Sequence, residues 1–141
     1  MSVRKALVVG GGKVAERRIK VMLDFGADIT VISPDASAYI ENAASLGTIR
    51  LLKRAYQEGD IAALSPFLVI AATNDREVNR QIAIEAKFLD ISASVADCRE
   101  ECTCYFPAIA HNGAYTAGLV SNDGNHAGVK QMAEKIRETL S

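Results

Sequence analysis

A formal net charge of −1 leaves this 141-residue chain without the basic field that binding to nucleic acid or to an anionic membrane requires. No apolar run approaches the roughly 18 residues of a membrane-spanning helix. Cysteine is scarce: Cys98, Cys102 and Cys104 are the three, crowded into one short stretch. An odd number argues against a disulfide framework and for reduced thiols. Their C-x3-C-x-C spacing lacks the C-x2-C pair of a zinc site, so no metal site is predicted. No internal repeat or low-complexity tract is visible. Met1–Lys5 leads straight into an apolar strand without a signal peptide, which predicts a cytoplasmic protein. What is present is 49% hydrophobic and 23% charged, the balance of about one globular domain with a real core.

The chain is organised around Lys5–Phe25. The apolar run Ala6–Val9 stops at Gly10, Gly11 and Gly12, and a helix-period pattern follows, with Val14, Val21 and Phe25 beside Ala15, Ile19 and Met22. Strand, glycine turn and helix are the parts of a dinucleotide-binding unit, and Gly10-x-Gly12-x-x-Ala15 fits its fingerprint. In that reading Gly10 permits the tight turn and Gly12 lets backbone approach a pyrophosphate. Ala15 lets the helix pack closely on the strand. The pyrophosphate lies on the free N–H groups at the helix N-terminus.

Downstream the same alternation recurs. Asp28–Ile32 reads as a second strand, then Ser33 as an N-cap with Pro34 at the first helical position of a helix ending at Gly47. Thr48–Leu52 is a third strand, and Asp60 caps a short helix, Ile61–Leu64. Phe67–Ala71 is a continuous apolar run suited to a central parallel strand. Asn74–Glu77 opens a helix to about Lys87 as a capping-box variant, and Leu89–Ser92 is a fifth strand. Alternating strands and helices predict an α/β fold with a Rossmann-type five-stranded parallel sheet of order 3-2-1-4-5. Ligand then binds outside the carboxyl ends of strands 1 and 4, where Gly10–Val14 and Ala71–Asp75 converge. From Val95 the character changes. Tyr105–Ala110 and Tyr115–Val120 read as a hairpin turning at His111–Gly113, and Val129–Leu140 as an amphipathic helix. A hairpin and one helix cannot bury a core alone, so 105–141 is expected to pack on the 1–104 nucleotide domain or on another chain.

Several residues could carry chemistry. Ser33 occupies the position after strand 2 where the fingerprint wants an acid for the ribose 2′-hydroxyl, and Asp35 follows it. No arginine stands there for a 2′-phosphate, which favours NAD over NADP. Lys13 is close enough to the turn to meet phosphate, whereas Arg17 and Arg18 read as solvated face or partner contacts. Asp97 lies in the loop after strand 5, where a carboxylate beside a nicotinamide can take a proton as hydride leaves. Glu100 and Glu101 read as solvated neighbours, and His111 and His126 as a hairpin and a helix-start residue.

The blocks ALVVGGGKVAERRIKVMLDFGADITVISPD, VIAATNDREVN and YFPAI, in this order, resemble the precorrin-2 dehydrogenase family, the dehydrogenase module of siroheme synthase. The resemblance runs from about Lys5 to about Ser121 and is most specific at GGGxVAxRR and AATNDxxVN. It implies NAD-dependent oxidation of precorrin-2, a tetrapyrrole, to sirohydrochlorin on the way to siroheme or cobalamin. The family's cofactor contacts carry over to Gly10, Gly12, Lys13 and Val14, to Ser33, Pro34 and Asp35, and to Thr73, Asn74 and Asp75. Its catalytic aspartate ends an N-V-x-D block, which here reads Ser94–Asp97 and assigns that role to Asp97. Its hairpin and last helix form an intertwined homodimer. The family's S-x-G-G-x-S-P loop is replaced by Ser121–Ala127, and its N-terminal strand and helical third domain have no counterpart here. Metal insertion is therefore not expected of this chain, and a separate chelatase or methyltransferase is a candidate partner. A non-catalytic NAD-sensing module, or a degenerate subunit serving a chelatase, is the alternative.

Overall fold

The computed structural model describes residues 4–104, 108–111 and 116–119, together with 131, 132, 135 and 138. By its contacts the chain divides into two units, Met1–Cys104 and Tyr105–Ser141. The first is built on β1 (Lys5–Val9), whose last four residues are all buried. β1 lies between β2 (Asp28–Ile32) and β4 (Leu68–Ala71); β3 (Arg50–Leu52) and β5 (Ser92–Val95) form the edges, so the order is β3-β2-β1-β4-β5, all parallel. This is the expected sheet. Apolar residues fill both faces because helices cover both.

Register decides what this sheet can do. Val9 pairs with Ile32 and with Ala71, Ile32 with Leu52, and Ala71 with Val95. All five strands therefore end level. The ladder runs one residue further on four of them: Gly10 N–H donates to Ile32 O, Ser33 N–H to Leu52 O, Ala72 N–H to Val9 O and Ala96 N–H to Ala71 O, at 2.8–3.1 Å. Chain leaves the sheet from one level edge.

Four helices connect the strands: α1 (Lys13–Asp24), α2 (Ala38–Ser45), α3 (Asp60–Leu64) and α4 (Arg76–Phe88). α1 buries Ala15, Ile19 and Met22, whereas Phe25 falls past its end and is exposed. α4 buries Ile82, Ala83 and Ala86 against β4 and β5, in a core with Leu7, Val69, Ala93 and Val95. Tyr56 packs on that core, and its hydroxyl donates to Glu85 of α4 at 2.5 Å.

Several local readings change. Ser37, not Ser33, caps α2: its Oγ accepts from Ile40 N–H, and 33–37 is loop because Ser37 N–H is drawn to Gly11 O at 2.8 Å. α4 is capped by Asp75, which accepts from Glu77 and Val78 N–H, rather than by Asn74. β5 begins at Ser92, not Leu89, because Leu89–Ile91 bond back to Glu85, Lys87 and Ala86, with Asp90 left-handed at φ 58°. In the second unit β6 (Ala108–His111) pairs antiparallel with β7 (Thr116–Leu119), so His111 is a strand residue opposite Thr116 rather than part of the turn. Residues 131, 132, 135 and 138 are helical, as expected of the last segment; the rest of it, and His126, lie outside the described residues. No helix among the described residues is long and apolar enough to cross a membrane.

Asp60 is also not a cap: Gly59 takes that position, and Asp60 is the first residue of α3. Its carboxylate accepts from Arg54 Nη1 and Nη2 at 2.8 and 3.0 Å and from Gln57 N–H at 2.8 Å. The Arg54 guanidinium holds it below the usual carboxylate range. A carboxyl depressed by folding adds stability above its ordinary range, and that stability is lost as pH falls through the depressed value. Asp60→Asn is expected to lower stability by about 1–2 kcal/mol at pH 7. The gap to wild type should close as the medium is taken below the ordinary carboxylate range, as thermal melts across pH would show. A gap constant with pH would rule this out.

Candidate functional site

The glycine turn is tighter than its fingerprint implies. Gly10 has φ 123°, and a Cβ there would lie 2.2 Å from Ala72 O. Gly11, an unspecified position of the fingerprint, is constrained by space alone: a Cβ would lie 2.1 Å from Asp35 O and 2.9 Å from Ser33 Oγ. Gly10 thus lets the turn close on the loop after β4, and Gly11 on the loop after β2. Gly12 is different, since a Cβ there would meet none of the described residues within 4 Å. It caps α1 without a side chain, whereas Ser37 and Asp75 cap α2 and α4 with theirs. An uncapped N-terminus behind open space at the level edge is the donor set that a pyrophosphate needs. Lys13 is exposed and Val14 half-buried in that first turn.

On the β2 side, Ser33 is buried and its Oγ donates to Asp35 O at 2.5 Å, which folds Pro34 and Asp35 outward as exposed residues. Beside them Lys53 pairs with Glu41 at 2.7 Å. Glu41 first, and Asp35 further off, raise the Lys53 ammonium above its usual range. Glu16 of α1 accepts from Lys20 and from Ser37 Oγ, both at 3.0 Å, and is lowered by them. Ser37 therefore ties α1, the glycine turn and α2 together.

On the β4 side, Thr73–Asp75 is held by a residue assigned no role in the sequence reading. Asn79 is fully buried; its Oδ1 accepts from Thr73 N–H at 3.1 Å and Thr73 Oγ1 at 2.6 Å, and its Nδ2 donates to Thr73 O at 3.1 Å. Truncating it removes three hydrogen bonds to Thr73 and leaves only the hydroxyl, which also bonds Asp75, with a partner from this set. Asn79→Ala is expected to cost about 2–3 kcal/mol in urea unfolding. A loss under half a kcal/mol would mean that the loop does not depend on it.

Asp97 stands one residue past the last ladder bond, at the same edge and exposed. It is not alone there. Arg76, the first residue of α4, donates from Nη1 to Asp97 Oδ1 and from Nη2 to Glu101 Oε2. Glu101, expected to be solvated, is thus an ion-pair partner, while Glu100 is exposed and accepts from Cys98 Sγ at 3.4 Å. Cys98 and Cys102 pack on the core, and Cys102 Sγ closes the end of β5 on Val95 N–H and O at 3.1 and 3.3 Å. Burial raises the Cys104 thiol, with Cys102 adding to the effect. A cavity of about 160 Å³ lined by Lys5, Asp28, Thr30, Arg50 and Pro66 lies at the opposite, amino end of the sheet.

The edge therefore gathers Gly10, Gly12, Lys13, Val14, Ser33, Pro34, Asp35, Thr73, Asn74, Asp75 and Asp97. Gly11, Ser37, Asn79, Arg76 and Glu101 were not singled out for it. The run of three glycines and the asparagine inside AATNDREVN were the available signals; Arg76 and Glu101 had none.

Residues 1–108 match the model of a family described as "Putative NAD(P)-binding". "Precorrin-2 dehydrogenase" of Bacillus subtilis (strain 168) is 33% identical over 137 residues, covering 97% of this chain and 83% of that protein. The chain belongs to the precorrin-2 dehydrogenase family. It is an NAD(P)-binding chain of Rossmann type. The solved structure "SirC, precorrin-2 dehydrogenase" superimposes with a TM-score of 0.80 at 30% identity, over 99% of this chain and 68% of that one. "Probable multifunctional siroheme biosynthesis protein HemA" of Ruminiclostridium josui is 46% identical over 139 residues, 98% of this chain. The chain spans 27% of the length of that larger member of the family.

Proposed function

We propose that this chain is an NAD-dependent dehydrogenase that oxidises precorrin-2 to sirohydrochlorin in tetrapyrrole biosynthesis. The observation that carries the reading is the open, uncapped α1 N-terminus behind Gly12, level with an aspartate at the same sheet edge, in a chain of this family. The N–H groups of Lys13 and Val14 would hold the pyrophosphate, with the Lys13 ammonium adding charge. Ser33, Pro34 and Asp35 would border the adenosine ribose, the Asp35 carboxylate accepting from its hydroxyls and repelling a 2′-phosphate. Thr73, Asn74 and Asp75 would border the nicotinamide end. NAD, when bound, supplies the acceptor for the two electrons that leave with hydride. Asp97 takes the accompanying proton that the substrate's ring system gives up as hydride leaves.

Residues 105–141 would serve as a homodimerisation segment, since a hairpin and a helix do not bury a core by themselves. The reading further places the protein in the cytoplasm, with a separate chelatase or methyltransferase as a candidate partner. The test is an anaerobic absorbance assay with precorrin-2 and either NAD or NADP. Sirohydrochlorin should form with NAD and much more slowly with NADP. Tight NAD binding with no product would instead favour a nucleotide sensor.

A further inference from the structure

We propose that Arg76 is the positioning residue of this site, its guanidinium clamping the Asp97 carboxylate to that of Glu101 and so fixing where Asp97 stands at the sheet edge. The proposal rests on the reading of Asp97 as the proton acceptor.

The clamp is anchored at both ends. Arg76 follows the cap Asp75, whose loop is locked through Thr73 to the buried Asn79, so the arginine stem starts from a fixed point. The other end is the loop after β5, where a 3-10 turn, Arg99–Glu101, returns Glu101 to the side of Asp97. One planar guanidinium reaches both carboxylates through different nitrogens. Only arginine has that fork; a lysine ammonium is a single point. Without it Asp97 and Glu101 lose the cation that they share.

Arg76 is also placed against local preference. It is the first residue of α4, where the helix dipole disfavours a cation. Side-chain exposures of 40% for Arg76 and 39% for Asp97 mean that water screens the pair, so its contribution to overall stability is small. A costly cation in a weak pair is explained by the position that it imposes. Charged groups near it are engaged too: Asp75 accepts from backbone N–H groups of α4, Glu100 from the Cys98 thiol, Glu77 pairs with Arg80, and Arg99 is not free.

A double-mutant cycle with Asp97→Asn and Arg76→Met tests this, read by turnover, by NAD titration calorimetry and by amide exchange. Arg76→Met should lower kcat by about 10- to 100-fold, as expected of a displaced catalytic group. Its KM and Kd for NAD should stay within about twofold. Arg76→Lys should restore only a minor part of kcat. In the Asp97→Asn background, Arg76→Met should have almost no further effect, because the residue that it positions is gone. Amides of Ala96, Cys98, Glu101 and Cys102, all hydrogen-bonded in this loop, should exchange faster in Arg76→Met while those of β4 do not change. Full multiplication of the two kcat losses, full rescue by lysine, or unchanged loop exchange would each overturn the role of Arg76. Undiminished turnover of Asp97→Asn alone would instead remove the reading on which it rests.

Discussion

Gly10→Ala is expected to destabilise the protein by about 4 kcal/mol or more, enough to leave a marginal domain largely unfolded at 37 °C. Two costs add. The residue sits at φ 123°, outside the range of an L side chain, and a Cβ would lie 2.2 Å from Ala72 O and 2.6 Å from Ala72 C. Those are backbone atoms at the end of β4, bonded to β1 through Ala72 N–H and Val9 O at 2.8 Å, so they cannot swing aside. Gly12→Ala is the matched control, since its φ of −93° is ordinary and no atom of the described residues lies within 4 Å of the added methyl. It should unfold in urea at nearly the wild-type midpoint yet bind NAD at least tenfold more weakly, the methyl standing where the pyrophosphate comes in. Equal stability of Gly10→Ala and wild type would show that the turn can relax. Wild-type NAD affinity of Gly12→Ala would show that the pyrophosphate lies elsewhere.

The second large effect belongs to Asp97. Asparagine has the same shape and still offers an oxygen to Arg76 Nη1, so Asp97→Asn should preserve the loop while removing the group that takes a proton. General-base catalysis is worth about 10²- to 10⁴-fold, and kcat for precorrin-2 oxidation should fall by that factor with the Kd for NAD unchanged. A protein that binds NAD normally and keeps full turnover would remove Asp97 from the chemistry. Because Asp97 is exposed, its replacement should leave the melting temperature within a few degrees of wild type, so the loss can be read as chemistry rather than unfolding.

Much of the nucleotide-binding unit was legible because its signals are local. Ala6–Val9 ends at glycine and Ile29–Ile32 at Ser33, so buried strands announce themselves as apolar runs with abrupt stops. The order β3-β2-β1-β4-β5 then follows from right-handed parallel crossovers, and the site edge from the point where the connections diverge. Element ends were less legible, since they depend on which donor a turn meets in space. Ser33 and Ser37 are both plausible caps by residue type. The bond from Ser37 N–H to Gly11 O, between segments 26 residues apart, selects Ser37. The start of β5 slipped for a similar reason, the tail of α4 spending Leu89–Ile91 on its own carbonyls.

The sequence alone determined the layered α/β architecture, the strand order and the sheet edge to which Gly10, Gly12, Ser33, Thr73–Asp75 and Asp97 belong. Periodicity and turn chemistry act over a few residues and survive without tertiary context. Only the folded chain decided that Gly11 has no more room for a side chain than Gly10, that Asn79 holds the second loop, and that Arg76 joins Asp97 to Glu101. Each of these depends on backbones or charges approaching within a few ångströms across gaps of up to 25 residues. Such approaches follow from strand register and helix packing, which no local pattern encodes.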